Sequence, residues 1–318
     1  MRLRNIDLFK GVLILLVILG HMIPEAIDNS FWRTIIYSFH MPLFIGISGF
    51  LFNADKMVKF NLFQLISKYR FRVILPWGIA VVGYFIYNTL ETLNFSGFEL
   101  VKAVVYPFYH LWFIPAFLSW VVITWLFKKT GIQHNVMLAI AFVISVVSLT
   151  LSYYPELYQE YRIINAGIKL VLHTFRPYFL FFFVLGFVLK HKELKRPGWL
   201  LYLLPLLGLC MAGYLFYNPV KVLSIFNFYF LNIVLLILAV QVASKSMIRE
   251  VQSMEWIGVH SLAIYLWHVL PIFIAKYVVG VDNLWLYYGT AVCLEIIFGL
   301  TYKYVLRYPF LRKYVFGM

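Results

Sequence analysis

The chain has 318 residues; 63% are hydrophobic, 20% aromatic and 13% charged, and 27 Lys and Arg against 13 Asp and Glu give a formal net charge of +14. So apolar a composition excludes a soluble globular enzyme and predicts an all-α, polytopic integral membrane protein of about ten helices. The positive balance does not point to nucleic acid, because its distribution along the chain accounts for it, as set out below.

Ten apolar segments are long enough to cross or nearly cross a bilayer, at roughly 6–23, 31–52, 73–90, 110–127, 135–153, 170–189, 199–217, 222–243, 256–276 and 284–306. The first, Ile6–Ile23, is apolar apart from Asp7, Lys10 and His21. Lys10 and His21 are eleven residues apart, about three helical turns or about 16 Å, so both side chains fall on one face. Ionisable groups in lipid face a bundle interior or a watered cavity, and this helix is therefore expected to line a site. Arg2 and Arg4 ahead of an apolar run imitate a signal peptide, but the His21-Met22-Ile23-Pro24 exit lacks a small-residue cleavage site, which predicts an uncleaved first span.

Between the second and third segments, residues 53–72 read as an amphipathic stretch on the inner surface. Its five cations suit anionic lipid head groups or a cytosolic phosphate ligand. The separation of the seventh and eighth segments depends on Asn218-Pro219 acting as a turn. Stretches 91–109 and 154–169 read as external loops. With ten spans and the N-terminus inside, the cytoplasmic stretches hold 19 of the 27 Lys and Arg, including Lys56, Lys68, Arg70 and Arg72. Lys102, Arg162, Lys169, Lys221 and Lys276 fall outside, and Lys10, Arg33 and Arg176 within spans. This asymmetry places both termini in the cytoplasm of a multi-pass protein of the inner, cytoplasmic membrane. Cys210 and Cys293 both lie in apolar segments, which argues against a disulfide framework. Residues 1–318 read as a single transmembrane domain without linker or internal repeat. Small-residue pairs are scattered and form no dimer stripe.

In this topology His21, His40, His110, His173 and His268, five of the eight histidines, gather at similar depth on the external side. Lys10, Arg70 and Arg72 gather at the internal side. A single intramembrane histidine is often a hydrogen-bonded packing residue. Arg33 reads equally as a snorkelling side chain, Arg176 as a partner for a carbonyl freed by Pro177, and Lys10 as the partner of Asp7 one turn away.

Four pieces of sequence carry a family resemblance: Asp7-x-x-Lys10-Gly11 leading to Gly20-His21, SFHMPLFIGISGF at 38–50, HLWFIPAFL at 110–118 and SLAIYLWH at 261–268. In this order, each in its own span, they resemble the integral-membrane acyltransferase-3 family, and the match covers essentially the whole chain. Without a fused domain, the chain is similar to fucose O-acetylase-like members. The resemblance implies transfer of an acyl group, usually acetyl, from cytosolic acyl-CoA to a hydroxyl of an extracytoplasmic glycan or lipid-linked sugar. It makes His21 the essential histidine and Lys10 its partner cation. The family's Arg-x-x-Arg motif, associated with the CoA phosphates, ends here at Arg72 but has Tyr69 in its first position, so either Lys68 or Arg70 supplies that charge from a shifted place.

The chemistry of the residues agrees. Esterifying a sugar hydroxyl with a thioester needs a base, and neutral imidazole suits that at ambient pH. Glu25, one turn beyond His21, is a candidate to orient the ring unless Pro24 ends the helix first. His40, Trp112, His268 and Arg176 are candidates for the acceptor site, with core packing as their alternative role. Lys10, Lys68, Arg70 and Arg72 are candidates for the donor phosphates, with lipid phosphate as the alternative ligand. No metal is expected, since no His-Glu-x-x-His run occurs. The competing function is a transporter or flippase of lipid-linked sugars, which needs no acyl-CoA site.

Overall fold

The computed structural model describes residues 4–92, 96–193, 198–244 and 251–318. Arg2, Lys195, Arg196, Lys245 and Arg249, five of the 19 cations expected on the cytoplasmic side, lie outside the described residues. Among those described, the regular structure is helical: α1 (Arg4–Met22), α2 (Phe31–Leu51), α3 (Ala54–Met57), α4 (Leu62–Tyr69), a π-helical turn (Arg70–Ile74), α5 (Leu75–Thr92), α6 (Gly97–Val105) and α7 (Phe113–Lys129). Then come α8 (His134–Tyr153), α9 (Arg162–Thr174), α10 (Leu180–Leu189), α11 (Trp199–Tyr217) and α12 (Lys221–Ser244). The chain closes with α13 (Gln252–Val259), α14 (Ser261–Trp267), α15 (Val269–Val279), α16 (Leu284–Val305) and α17 (Pro309–Tyr314).

Among the described residues, eight helical stretches are long and apolar enough to span a bilayer, and a ninth is made by α9 with residues Pro177–Leu189, bent by 45°. The fourth predicted segment corresponds to α7, which at 17 residues is at the lower end of spanning lengths. Four expectations change in detail. Residues 162–169, read as loop, are the start of α9, and 97–105 within the loop at 91–109 form α6. The amphipathic stretch does not lie apart on the surface; from Leu62 it runs through the π turn into the third span, Leu62–Leu90. The ninth segment is interrupted at His260 and His268.

Small residues let the helices that carry the site approach to backbone contact. At the α2–α10 crossing, a Cβ on Gly186 would stand 1.8 Å from the Gly46 carbonyl oxygen. At the α1–α13 crossing, a Cβ on Gly258 would stand 1.7 Å from the Asp7 oxygen. Pro42, inside α2, has no N–H for the Ser38 carbonyl. Asn232 of α12 supplies the missing donor at 2.9 Å, so the helix passes the proline with its backbone satisfied.

The ends of α2, α7 and α10 meet at one end of the bundle. Asp55 bonds Lys128 at 2.9 Å and His191 Nε2 at 2.9 Å. Lys190 donates to the Phe52 carbonyl at 3.1 Å. The Lys128 ammonium, with His191, pulls the Asp55 carboxyl down to about 2. A depressed carboxyl adds stability that is complete above its ordinary range and disappears as pH falls through the folded value. Asp55→Asn is therefore expected to lower the thermal midpoint at pH 5, with the gap to wild type closing as pH approaches about 2. A gap that stays constant over that range would refute the assignment.

Candidate active site

The opposite end of the bundle holds a cavity of about 880 Å³. His21 enters it from the last turn of α1, where the helix stops at Met22 ahead of Pro24. Along α2, Arg33, Tyr37 and His40 line the same cavity, as their i, i+4, i+7 spacing on one face requires. Tyr109, His110 and Trp112 come from the turn before α7, and His173 and Arg176 from the bend between α9 and α10.

His21 is the hub of this cluster. Its Nδ1 is 3.3 Å from the Tyr37 hydroxyl. Ring centroids of Tyr109, His268 and His110 lie 5.0, 5.2 and 6.2 Å from its own, and His110 and His268 are 5.1 Å apart. Thus the five histidines expected at one depth do come together: four line the cavity, and buried His268 packs behind His21.

Backbone carbonyls set the tautomers of three of these rings, because only a protonated nitrogen donates to them. His40 Nδ1 donates to Ile36 at 2.7 Å. His110 Nε2 donates to Leu266 at 3.2 Å. His268 Nδ1 donates to Tyr265 at 2.8 Å and to Ile264 at 3.2 Å. The opposite nitrogens, His110 Nδ1 and His268 Nε2, are buried acceptors with no partner among the described residues.

Glu25 requires a correction. It lies beyond the end of α1 and is exposed, and its backbone carbonyl, rather than its carboxylate, joins the site by accepting from Arg33 Nη1. The helix ends before the turn that would have brought Glu25 alongside His21, and the group at His21 Nδ1 is Tyr37. Tyr37 and Tyr109 were missed in the sequence. Tyr37 was legible from its spacing to Arg33 and His40; Tyr109 depends on a left-handed backbone, φ 35°, which no local pattern announces. Arg33 is buried, donating to the Ile23 carbonyl at 3.3 Å and to the Tyr109 hydroxyl at 2.8 Å. Trp112 is buried beneath the Arg176 guanidinium, 3.9 Å from ring centroid to Cζ. Arg176 also fulfils its plainer expected role, since its Nε is 3.4 Å from the His173 carbonyl, the one Pro177 frees.

The inner cations are spread over a different part of the fold. Lys10 is largely buried and 3.7 Å from Asp7. The deepest α1 residue lining the chamber is Val17, about 10 Å along the axis from Lys10. Lys68, in the last turn of α4, and Arg70 and Arg72, in the π turn, are exposed. Arg70 turns onto Phe71, 4.9 Å from Cζ to centroid. Lys68 lies within repulsive range of Lys56 and Arg72 and lines a shallow depression with Phe60, Phe63, Gln64 and Ser67.

A multi-pass helical bundle with a histidine chamber at one end and cations at the other is the class that this fold and site define. The acyltransferase domain family matches residues 3–303, and the chain belongs to it. It is 30% identical over 179 residues to the nodulation protein NolL of Sinorhizobium fredii, a match covering 51% of this chain and 46% of that protein. It is 27% identical over 172 residues to the nodulation protein NolL of Mesorhizobium japonicum, covering 49% and 44%. The chain thus spans about half the length of the curated relatives it matches. No solved structure matches.

Proposed function

We propose that this protein is an O-acyltransferase of the cytoplasmic membrane. It moves an acyl group, acetyl in the simplest case, from cytosolic acyl-CoA to a hydroxyl of an extracytoplasmic glycan or lipid-linked sugar. The observation that carries this reading is His21 in the wall of the chamber, held at Nδ1 by Tyr37, on a helix whose other end carries Lys10. With Nδ1–H donated to the Tyr37 oxygen, Nε2 is the base. It takes the acceptor hydroxyl proton as that oxygen attacks the thioester carbonyl. The C–S bond then breaks, and the thiolate leaves with the proton from the imidazolium. Membership of an acyltransferase family supports transfer over transport of the same sugars.

On the donor side, spacing suggests which residue replaces the missing first Arg of the motif. Lys68 is in the last turn of α4 and Arg72 is in the π turn that follows, and a spacing of four keeps two side chains on one helical face. Lys68 is four residues before Arg72, whereas Arg70, two before it, projects to the other side. Lys68 and Arg72 are thus the pair for the CoA phosphates. Replacing both by Gln is expected to raise the KM for acyl-CoA about tenfold or more, the scale of lost charge-assisted hydrogen bonds, with a smaller change in kcat. Arg70→Gln should have the lesser effect, and an equal effect would remove Lys68 from the donor site.

The reading is tested by following free thiol released from acetyl-CoA by detergent-purified protein, together with direct CoA binding. CoA-dependent thiol release supports it. Absence of both binding and release overturns it in favour of a lipid-linked sugar flippase.

A further inference from the structure

The acceptor chamber contains two guanidinium groups that proton transfer does not use. Tyr109, φ 35°, and Arg176, φ 40°, are the two non-glycine residues with left-handed backbone among the described residues, and both line this chamber. Side chains seldom occupy that region, and such residues cluster at ligand-holding sites. At Arg176 the following Pro177 disfavours the right-handed helical conformation, and the turn lays the guanidinium over Trp112. Its Nε is spent on the His173 carbonyl, which leaves both Nη groups without a protein partner among the described residues. At Tyr109 the turn delivers the hydroxyl to Arg33 Nη2 at 2.8 Å.

Arg33 is 8% exposed, and its buried Nε has no hydrogen-bond partner among the described residues. Among the described residues neither arginine is in an ion pair. The carboxylate lining the chamber is Asp28, at the rim on the exposed turn Ile27–Asn29. Burying a cation without a counter-charge is costly. A neutral sugar offers hydroxyls, which uncharged side chains would serve as well. A planar guanidinium matches carboxylate and phosphate oxygens two at a time.

We infer that the acceptor is anionic: a sugar bearing a carboxylate or a phosphate, received by Arg176 with Arg33 behind it. The inference rests on reading the chamber as the acceptor site of an acyltransferase. Equilibrium binding to detergent-purified protein, measured without acyl-CoA, keeps the two apart. The probes are methyl glucuronide, glucose 1-phosphate and methyl glucoside. The expected result is that at least one anionic sugar binds about tenfold or more tighter than the neutral one, the scale of a charge-assisted pair. Whether glucuronide or phosphate gains tells the two anions apart. Arg176→Gln should lose this preference and Arg176→Lys keep most of it, which separates loss of charge from loss of fold. Equal binding of all three probes, binding of none, or a preference unchanged in Arg176→Gln overturns the inference. Absence of thiol release from acetyl-CoA, measured separately, strikes at the transferase reading and leaves the anion preference decided by binding.

Discussion

His21→Ala is expected to reduce acyl-CoA-dependent thiol release by about 10²-fold or more, the scale set by removing a general base, while CoA binding is retained. The separation of the two effects follows from distance. His21 is in the chamber wall, whereas Lys68, at the end of α4, and Arg72, in the π turn, are at the far end of the bundle. A variant that lost binding and turnover together would have lost its fold, and His21 would have no assigned role. A fully active variant would move the base to another ring of the cluster.

Gly186→Val is expected to cost at least about 3 kcal/mol, the upper range for overpacking, and to leave little protein stable in detergent. Its Cβ would fall 1.8 Å from the Gly46 oxygen and 3.0 Å from the Phe50 nitrogen. Both obstacles are backbone, so no rotamer change relieves them, and α2 would have to move with Arg33, Tyr37 and His40 upon it. Gly78 in α5 is the control. A Cβ there meets nothing within 4 Å, and Gly78→Ala should be neutral or stabilising by about 0.5–1 kcal/mol through helix propensity. Thermal midpoints of the two purified variants provide the comparison. Equal midpoints would mean that the α2–α10 crossing is looser than described.

What the sequence made legible follows from cost. His21, His40 and His268 are conspicuous because imidazoles are expensive in an apolar run, and their shared depth could be counted from the spans. The amphipathic character of 53–72 could be read because its apolar residues recur beside cations, although not its continuation into the third span. The interruptions of the ninth segment, the bend at Arg176 and the π turn could not be read in the same way. All lie in continuous apolar or mixed runs where hydropathy registers length but not backbone geometry. Pro177 was a visible breaker, yet the left-handed conformation just before it depends on packing over Trp112. Glu25 was misplaced for a related reason: α1 stops at Met22, three residues short of it, and hydropathy does not mark where a helix ends.

The π turn at Arg70–Ile74 has a consequence for how this chain tolerates changes in length. One residue added to a regular helix rotates everything beyond it by about 100° and advances it by about 1.5 Å. In a span flanked by close-packed neighbours, that would swap the lipid face for the packed one. A widened turn confines the surplus residue to a single loop of backbone. Tyr84 and Trp267, stacked at 6.1 Å, keep their register while the basic residues below them are re-spaced. The span and its flanking cations are thereby free to drift in spacing independently, so a motif can shift by one position without disturbing the membrane-embedded half of the protein.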